Sequence, residues 1–429
     1  MPIQKRLVMK FGGKCLANEK LIIEVANYLK QCLAKQPALE LVVVVSAMGD
    51  FTDKTLAQIQ KLAPNLYHTD DQVLINRDID YATQSGEGIS AAFLSIALNG
   101  IGVKTRSLNA FQLNIQTTGD YQSAQIKDID LNRLEKEFAS YQVLVVTGFQ
   151  GMHQADDAYV TLGRGGSDTT AVALAALLKC KCEFYKAAAG ITAFEPKYYD
   201  RAKLLSFITY ADARDLSQYG YQFLQPRCLD IAQRFSVPLE FKASPGLGND
   251  PESPGTIIGE SLEQIEDTNY HFSALAAKEG LSLVTFSQVP NLAGWSEKIF
   301  GIFQKVDLLD FQQIMADPDR KTAIINLIMD DEVYHQINSM DDNLITKVIS
   351  LDPKIQLCGG ESLTCLTFID SRMTYGSGFG FLIAQALCLV GINIEGQYSS
   401  GNKIHTFIAG DTGKAILSLA NMFNLIQLP

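Results

Sequence analysis

The chain has 429 residues, 47% hydrophobic and 19% charged, with 36 Lys and Arg against 47 Asp and Glu, a formal net charge of −11. That length gives two or three domains with their own cores, and the acidic balance argues against a nucleic-acid-binding surface across the molecule while leaving room for a local basic pocket. No apolar run reaches the roughly 18 residues of a membrane span, and scattered cysteines without a secretory h-region read as reduced thiols of a cytoplasmic protein.

In chain order, Arg6–Phe11 reads as a short apolar strand broken by Gly12 and Gly13. Glu19–Lys35 carries Leu21, Ile22, Val25, Leu29, Cys32 and Leu33 on one helical face. Leu39–Val45 is a continuous β-branched run, the mark of a strand buried on both faces, and Val143–Thr147 repeats it before Gly148. Ser167 reads as the N-cap of a helix running to Lys179, with Asp168 in its first turn. Strands alternating with helices predict an α/β fold with a mainly parallel sheet covered on both sides, and ligands at the carboxyl ends of its strands. The loops Gly12–Gly13, Ser46–Gly49 and Gly148–Gly151 fall at those ends.

Residues 242–261, rich in Pro, Gly, Ser and acids, read as a loop approaching a domain boundary. Beyond it, Leu281–Phe286, Thr322–Met329 and Cys365–Ile369 predict strands and Phe379–Leu389 an apolar helix. Asn393–Gly396 and Ile404–Ala409 predict two more strands, and Lys414–Phe423 a closing helix. That order is that of a small ferredoxin-like module, expected twice.

Three local patterns point to chemistry. Lys10 before Gly12–Gly13 can set a point charge beside backbone N–H groups that approach a phosphate, although a surface lysine before a turn reads the same. Thr161–Thr170, TLGRGGSDTT, joins Arg164 to a glycine pair and a helix start bearing Ser167 and Asp168, a setting for an anionic ligand and a bidentate carboxylate grip. Ser85–Gly86–Glu87 puts a carboxylate at a helix start, either to bind an amino group or merely to cap. The five histidines form no HxxxH, and no metal site built on His or Cys is expected.

Together, KFGG (10–13), VVVSAMG (43–49), SGE (85–87), GFQG (148–151) and GRGGSDTTA (163–171) resemble the aspartokinases of the amino-acid kinase superfamily. Pro254–Ile257 and the C-terminal tail resemble their tandem ACT regulatory domains, so the resemblance covers nearly the whole chain. It implies a three-layer amino-acid kinase domain over residues 1–262 and two interleaved, ferredoxin-like ACT domains over 263–429. It also implies transfer of the γ-phosphoryl of MgATP to the β-carboxylate of L-aspartate, the first step toward lysine, threonine and methionine. Lys10 would then neutralise the transferring phosphoryl group, with Gly12 and Gly13 cradling its oxygens. Ser46 and Thr52 would sit at the aspartate and phosphoryl end. Glu87 would hold the ammonium, Arg164 a carboxylate, and Ser167 and Asp168 would organise the centre. Asn393, Ile394 and Met373 are the implied contacts of an amino-acid effector, and a homodimer or higher homo-oligomer is implied.

The pattern departs from the family at the nucleotide segment. Where aspartokinases read TDVDGxYTxDPR, Lys186–Lys197 reads KAAAGITAFEPK; Gln222 stands where a further family lysine is found, and Lys14 and Cys15 follow the first glycines. Lys186, Gly190 and Lys197 are the nucleotide contacts that segment would supply. Two alternatives to an aspartate kinase follow: a kinase of the same fold with another acidic acceptor or altered nucleotide use, or a non-catalytic, ACT-based amino-acid-binding regulator.

Overall fold

The computed structural model describes residues 5–63, 72–155, 157–260, 274–315, 321–339, 343–370, 378–401 and 403–427. Contacts divide the chain into two units: Met1–Ala193, Lys203–Gln218 and Gln222–Asn269 form one, and Phe194–Ala202, Tyr219–Tyr221 and Tyr270–Pro429 the other.

The first unit opens with strand β1 (Arg6–Phe11), helix α1 (Glu19–Lys35) and strand β2 (Glu40–Val45). The side chain of Asn18 accepts the Leu21 N–H and starts α1 where the apolar periodicity begins. Helices α2 (Phe51–Leu62), α3 (Gln72–Thr83) and α4 (Ser85–Gly100) follow, then β3 (Thr105–Leu108), a one-turn helix α5 (Ala110–Leu113), β4 (Gln116–Thr118), β5 (Gln125–Asp128) and α6 (Leu131–Phe138). Strands β6 (Val143–Thr147), β7 (Gln150–His153) and β8 (Ala158–Thr161) lead into α7 (Gly166–Leu178) and β9 (Cys182–Lys186). The unit closes with β10 (Phe207–Thr209), α8 (Tyr210–Gln218), α9 (Pro226–Arg234), β11 (Leu239–Ala243) and β12 (Thr256–Gly259).

Eight of these strands form one sheet in the order β10-β12-β11-β9-β1-β2-β6-β3, parallel from β11 to β3. The joint between β11 and β12 is antiparallel. Met9, Phe11, Val43, Val45, Val143 and Val145 share one core with Val25 and Leu29 of α1 and Leu94 and Leu98 of α4. Their alternate neighbours Val8, Val42, Val44, Leu144 and Val146 are equally buried and point the other way, toward the face where α7 packs. The three layers and the mainly parallel sheet follow. A four-stranded sheet, β5-β4-β7-β8, stands beside it.

Two local readings are corrected. The N-cap of α7 is Gly165, left-handed at φ 72°, because its carbonyl already accepts the N–H groups of Asp168 and Thr169; Ser167 lies within the first turn. Thr256–Gly259, inside the stretch read as loop, is strand β12, with Thr256 and Ile258 buried between outward neighbours.

In the second unit, β13 (Ala274–Pro290), α10 (Trp295–Ile302), β14 (Asp310–Met315) and β15 (Thr322–Asp330) precede α11 (Asp331–Ser339), α12 (Leu344–Leu351) and β16 (Gln356–Ile369). Then come α13 (Phe379–Leu389), β17 (Ile394–Ser400), β18 (Lys403–Ile408) and α14 (Thr412–Met422). Six antiparallel strands run in the order β14-β15-β13-β16-β18-β17. Residues 281–290 of β13 pair with β15, whereas residues 274–278 pair only with the C-terminal half of β16. One ferredoxin-like half therefore runs from Leu281 to Ser362, and the other takes Ala274–Leu281 as its fourth strand and resumes at Leu363. The halves are interleaved along two long strands.

Candidate active site

The loops after β1 and β2 are bound to each other. The Ser46 N–H donates to the Phe11 carbonyl at 3.3 Å and the Gly49 N–H to that of Gly13 at 2.9 Å. A Cβ at Gly13 would lie 2.5 Å from the Ala47 carbonyl oxygen, so only glycine permits this approach. Where these loops meet the loop before α7, a cavity of about 580 Å³ opens at the carboxyl end of the sheet. Lys10, Gly13, Ser46, Thr52, Glu87, Arg164, Ser167 and Asp168 all line it. Gly12 adjoins it: a Cβ there would stand 3.7 Å from the Lys10 Nζ.

At its floor lies a charged cluster. Lys10 Nζ is 2.6 Å from one oxygen of Asp168, both side chains being buried, and Lys186 Nζ is 3.9 Å from the other. Burial alone would raise the Asp168 carboxyl, but the two lysines outweigh it and hold the group below its usual range. Burial acts oppositely on Lys186 and lowers it, although Asp168 counters. Lys186 also donates to the Phe223 carbonyl and lies over the Phe241 ring at 5.4 Å. An ion pair so enclosed stores energy: removing one partner of such a pair costs about 3–5 kcal/mol.

Glu87 faces the same cavity from the first turn of α4. Its Oε1 accepts the Ala47 N–H at 3.0 Å, while its Oε2 is buried with no hydrogen-bond partner among the described residues. Burial pushes this carboxyl up to about 8, against the opposing effects of the Ala47 hydrogen bond and the Lys10 charge. Arg164 lies exposed at the rim and pairs with no acid among the described residues. The site thus carries an orphaned carboxylate oxygen and an uncommitted guanidinium around a lysine.

Residues without a sequence signal complete the wall. Asp80 on α3, fully buried, accepts the Gln122 and Thr161 N–H groups at 2.9 and 2.8 Å and the Thr161 hydroxyl at 2.7 Å. Gln122 and Phe149 both line the cavity with left-handed backbones, φ 66° and 71°. Such non-glycine conformations cost on the order of 1 kcal/mol or more and persist only where neighbours hold them. Here the Asp80 carboxylate holds Gln122, and the Leu162 N–H, donating to the Phe149 carbonyl at 2.8 Å, holds the other.

The nucleotide segment does not arrive as one group. Lys186 reaches the charged cluster, whereas Gly190 packs where a Cβ would stand 2.6 Å from the Thr256 hydroxyl. Lys197 belongs to the second unit, paired with Glu195 at 2.6 Å and lying over the Tyr198 ring. Lys14 is exposed in the turn after β1. In the second unit Asn393 is exposed and donates to Glu395 at 3.1 Å, and Ile394 on the edge strand β17 pairs with Ile408 of β18; Met373 lies outside the described residues.

The family model of the amino acid kinase family matches residues 5–242. Aspartokinase 2 of Bacillus subtilis is 30% identical over 99% of this chain and 98% of its own length. The aspartokinase of Mycolicibacterium smegmatis is 29% identical over 98% of this chain and 96% of its own. Among solved structures, aspartokinase III of E. coli in complex with aspartate and ADP superposes with a TM-score of 0.71 at 19% identity, covering 97% of this chain and 99% of that one. The aspartate kinase of Clostridium acetobutylicum superposes with a TM-score of 0.73 at 19% identity, covering 97% and 100%.

Proposed function

The chain belongs to the amino acid kinase family and, within it, to the aspartokinases, and from that premise we propose that it transfers the γ-phosphoryl group of MgATP to the β-carboxylate of L-aspartate, giving 4-phospho-L-aspartate and ADP. The observation that carries this reading is the sharing of one cavity by the orphaned Glu87 oxygen, the uncommitted Arg164 and the buried Lys10. Glu87 takes the substrate ammonium and Arg164 its α-carboxylate, with Ser46, Thr52 and Ser167 as hydroxyl contacts. The β-carboxylate then lies toward Lys10.

A carboxylate oxygen attacks the γ-phosphorus, the bond from that phosphorus to the β–γ bridging oxygen breaks, and ADP departs with the electron pair. The nucleophile is already an anion at neutral pH, so no general base is needed. Asp168, kept ionised between Lys10 and Lys186, orients both cations for the phosphate charge. Catalysis of this kind is positioning and charge stabilisation. Mg²⁺ enters here as part of the nucleotide substrate. Lys186 is the cation on the nucleotide side, with Gly190 and Lys197 as further contacts of that segment. Residues 1–262 act as the kinase domain and 263–429 as tandem ACT domains that bind an amino-acid effector, in a homo-oligomer.

Incubating the purified chain with MgATP, L-aspartate and hydroxylamine tests the reading, because an acyl phosphate is trapped as a hydroxamate. Hydroxamate requiring both substrates, and exceeding that from L-glutamate or succinate, is expected. Its absence with every nucleotide tried would overturn the proposal.

A further inference from the structure

We infer that Asp80 is the positioning residue of the acceptor site, holding the Arg164 loop where the guanidinium meets the substrate carboxylate; the inference rests on the aspartate-kinase reading above. Thr161, bound to Asp80 through both its N–H and its hydroxyl, is the last residue of β8, three residues before Arg164. Gln122, bound through its N–H, lies in the turn between β4 and β5, and its side chain donates to Asn76, also on α3, at 2.8 Å. The Gln122 carbonyl backs the same loop: a Cβ at Gly163 would stand 2.6 Å from that oxygen. The left-handed Gln122, the end of β8 and the approach to α7 are thereby gathered on one buried carboxylate.

Two features set this apart from ordinary core bonding. Asp80 lines the catalytic cavity, so its hydrogen bonds shape the wall. Arg164 itself is exposed and unpaired among the described residues, so its placement depends on the backbone that carries it. Asp80 fixes that backbone on one side and α7 on the other. An amide in its place supplies an N–H₂ group where the carboxylate accepts N–H or O–H, and the clasp opens on one side. Asp80 acts through Arg164, so its loss weakens acceptor binding and spares nucleotide.

The test uses the full chain with Asp80→Asn, Thr161→Val, Arg164→Ala and the double variant Asp80→Asn/Arg164→Ala. Asp80→Asn should raise KM for L-aspartate about tenfold or more while KM for MgATP stays within about twofold, since misplacement costs binding only at the misplaced group. Thr161→Val, which loses the hydroxyl and keeps the N–H, should move the same parameter less and remains informative if Asp80→Asn fails to fold. In the Arg164→Ala background, Asp80→Asn should add under about threefold, the non-additivity of residues acting through one another. Unchanged KM for aspartate in both single variants, or full additivity with Arg164→Ala, would overturn the inference. Absence of transfer by the unaltered chain would instead refute the kinase reading. Hydrogen exchange then decides: faster exchange at 161–165 in Asp80→Asn supports the clasp, and unchanged exchange sinks it.

Discussion

Lys10 serves chemistry and fold at once, because its charge faces the cavity while its ammonium holds Asp168 at 2.6 Å. Lys10→Ala should cut turnover about 100–1000-fold, as loss of one preorganised charge-stabilising group does. It should also lower the unfolding free energy by about 3–5 kcal/mol, since Asp168 keeps only the more distant Lys186. Steady-state kinetics and urea unfolding check the two effects separately. Glu87 carries a pH signature. Burial pushes its folded carboxyl up to about 8, above the ordinary 4.5, so the group holds its proton over most of the neutral range. Burial of Glu87 therefore costs nothing below 4.5 and progressively destabilises the fold as pH rises toward 8. An ammonium requires the ionised form, so KM for L-aspartate should fall as pH rises to about 8 and level off above it. Glu87→Gln should weaken binding and abolish that slope; a slope that survives would assign it elsewhere. Lys10, Glu87, Arg164 and Asp168 were legible in the sequence because each stands beside the glycines that open its backbone. Asp80 was not: its partners are backbone N–H groups and a hydroxyl 42 and 81 positions away, and no residue type advertises a buried acceptor at that range.

At the scale of elements, the joint between β6 and α7 decides how Asp168 is aimed. Gly148 follows β6, and a Cβ there would stand 2.6 Å from the Cβ of Ser167. Gly148→Ala should push the first turn of α7 away from the sheet, cost about 1–3 kcal/mol as overpacking does, and lower kcat with it. Thermal unfolding measured beside turnover checks both. Elements whose patterns were unmixed matched their predicted bounds: Arg6–Phe11, Glu19–Lys35, Val143–Thr147 and Phe379–Leu389. Strand β12 was hidden by the turn-forming residues on its N-terminal side, which outweighed four residues of alternation. Strands β13 and β16 run well beyond Leu281–Phe286 and Cys365–Ile369, because Lys278, Glu279 and Gly280 interrupt the apolar pattern at a place where the ladder shifts register and continues.

At the scale of the whole molecule, Phe194–Ala202 and Tyr219–Tyr221 are flanked in sequence by stretches of the first unit yet belong to the second. Along the sequence the first follows Lys186 by eight residues and the second ends two residues before Phe223, whose carbonyl receives the Lys186 ammonium. A linear reading of domain borders could not anticipate this, since contact rather than sequence distance assigns these segments. The interleaved C-terminal sheet has a consequence for how such a chain can be cut and rejoined. Leu281 and Leu363 are direct cross-strand partners, and everything between them forms the first ferredoxin-like half, whose core of Val284, Phe286, Ile325, Leu327 and Val348 is its own. That half is an insert spliced into a β-hairpin, and its two ends meet. Excising Ser282–Ser362 and closing the gap with Asn-Gly should leave a hairpin of the favoured two-residue type and a second half that still unfolds cooperatively by circular dichroism. Loss of cooperativity would mean that Ile328, packed against Leu281 and Leu363, welds host and insert into one folding unit.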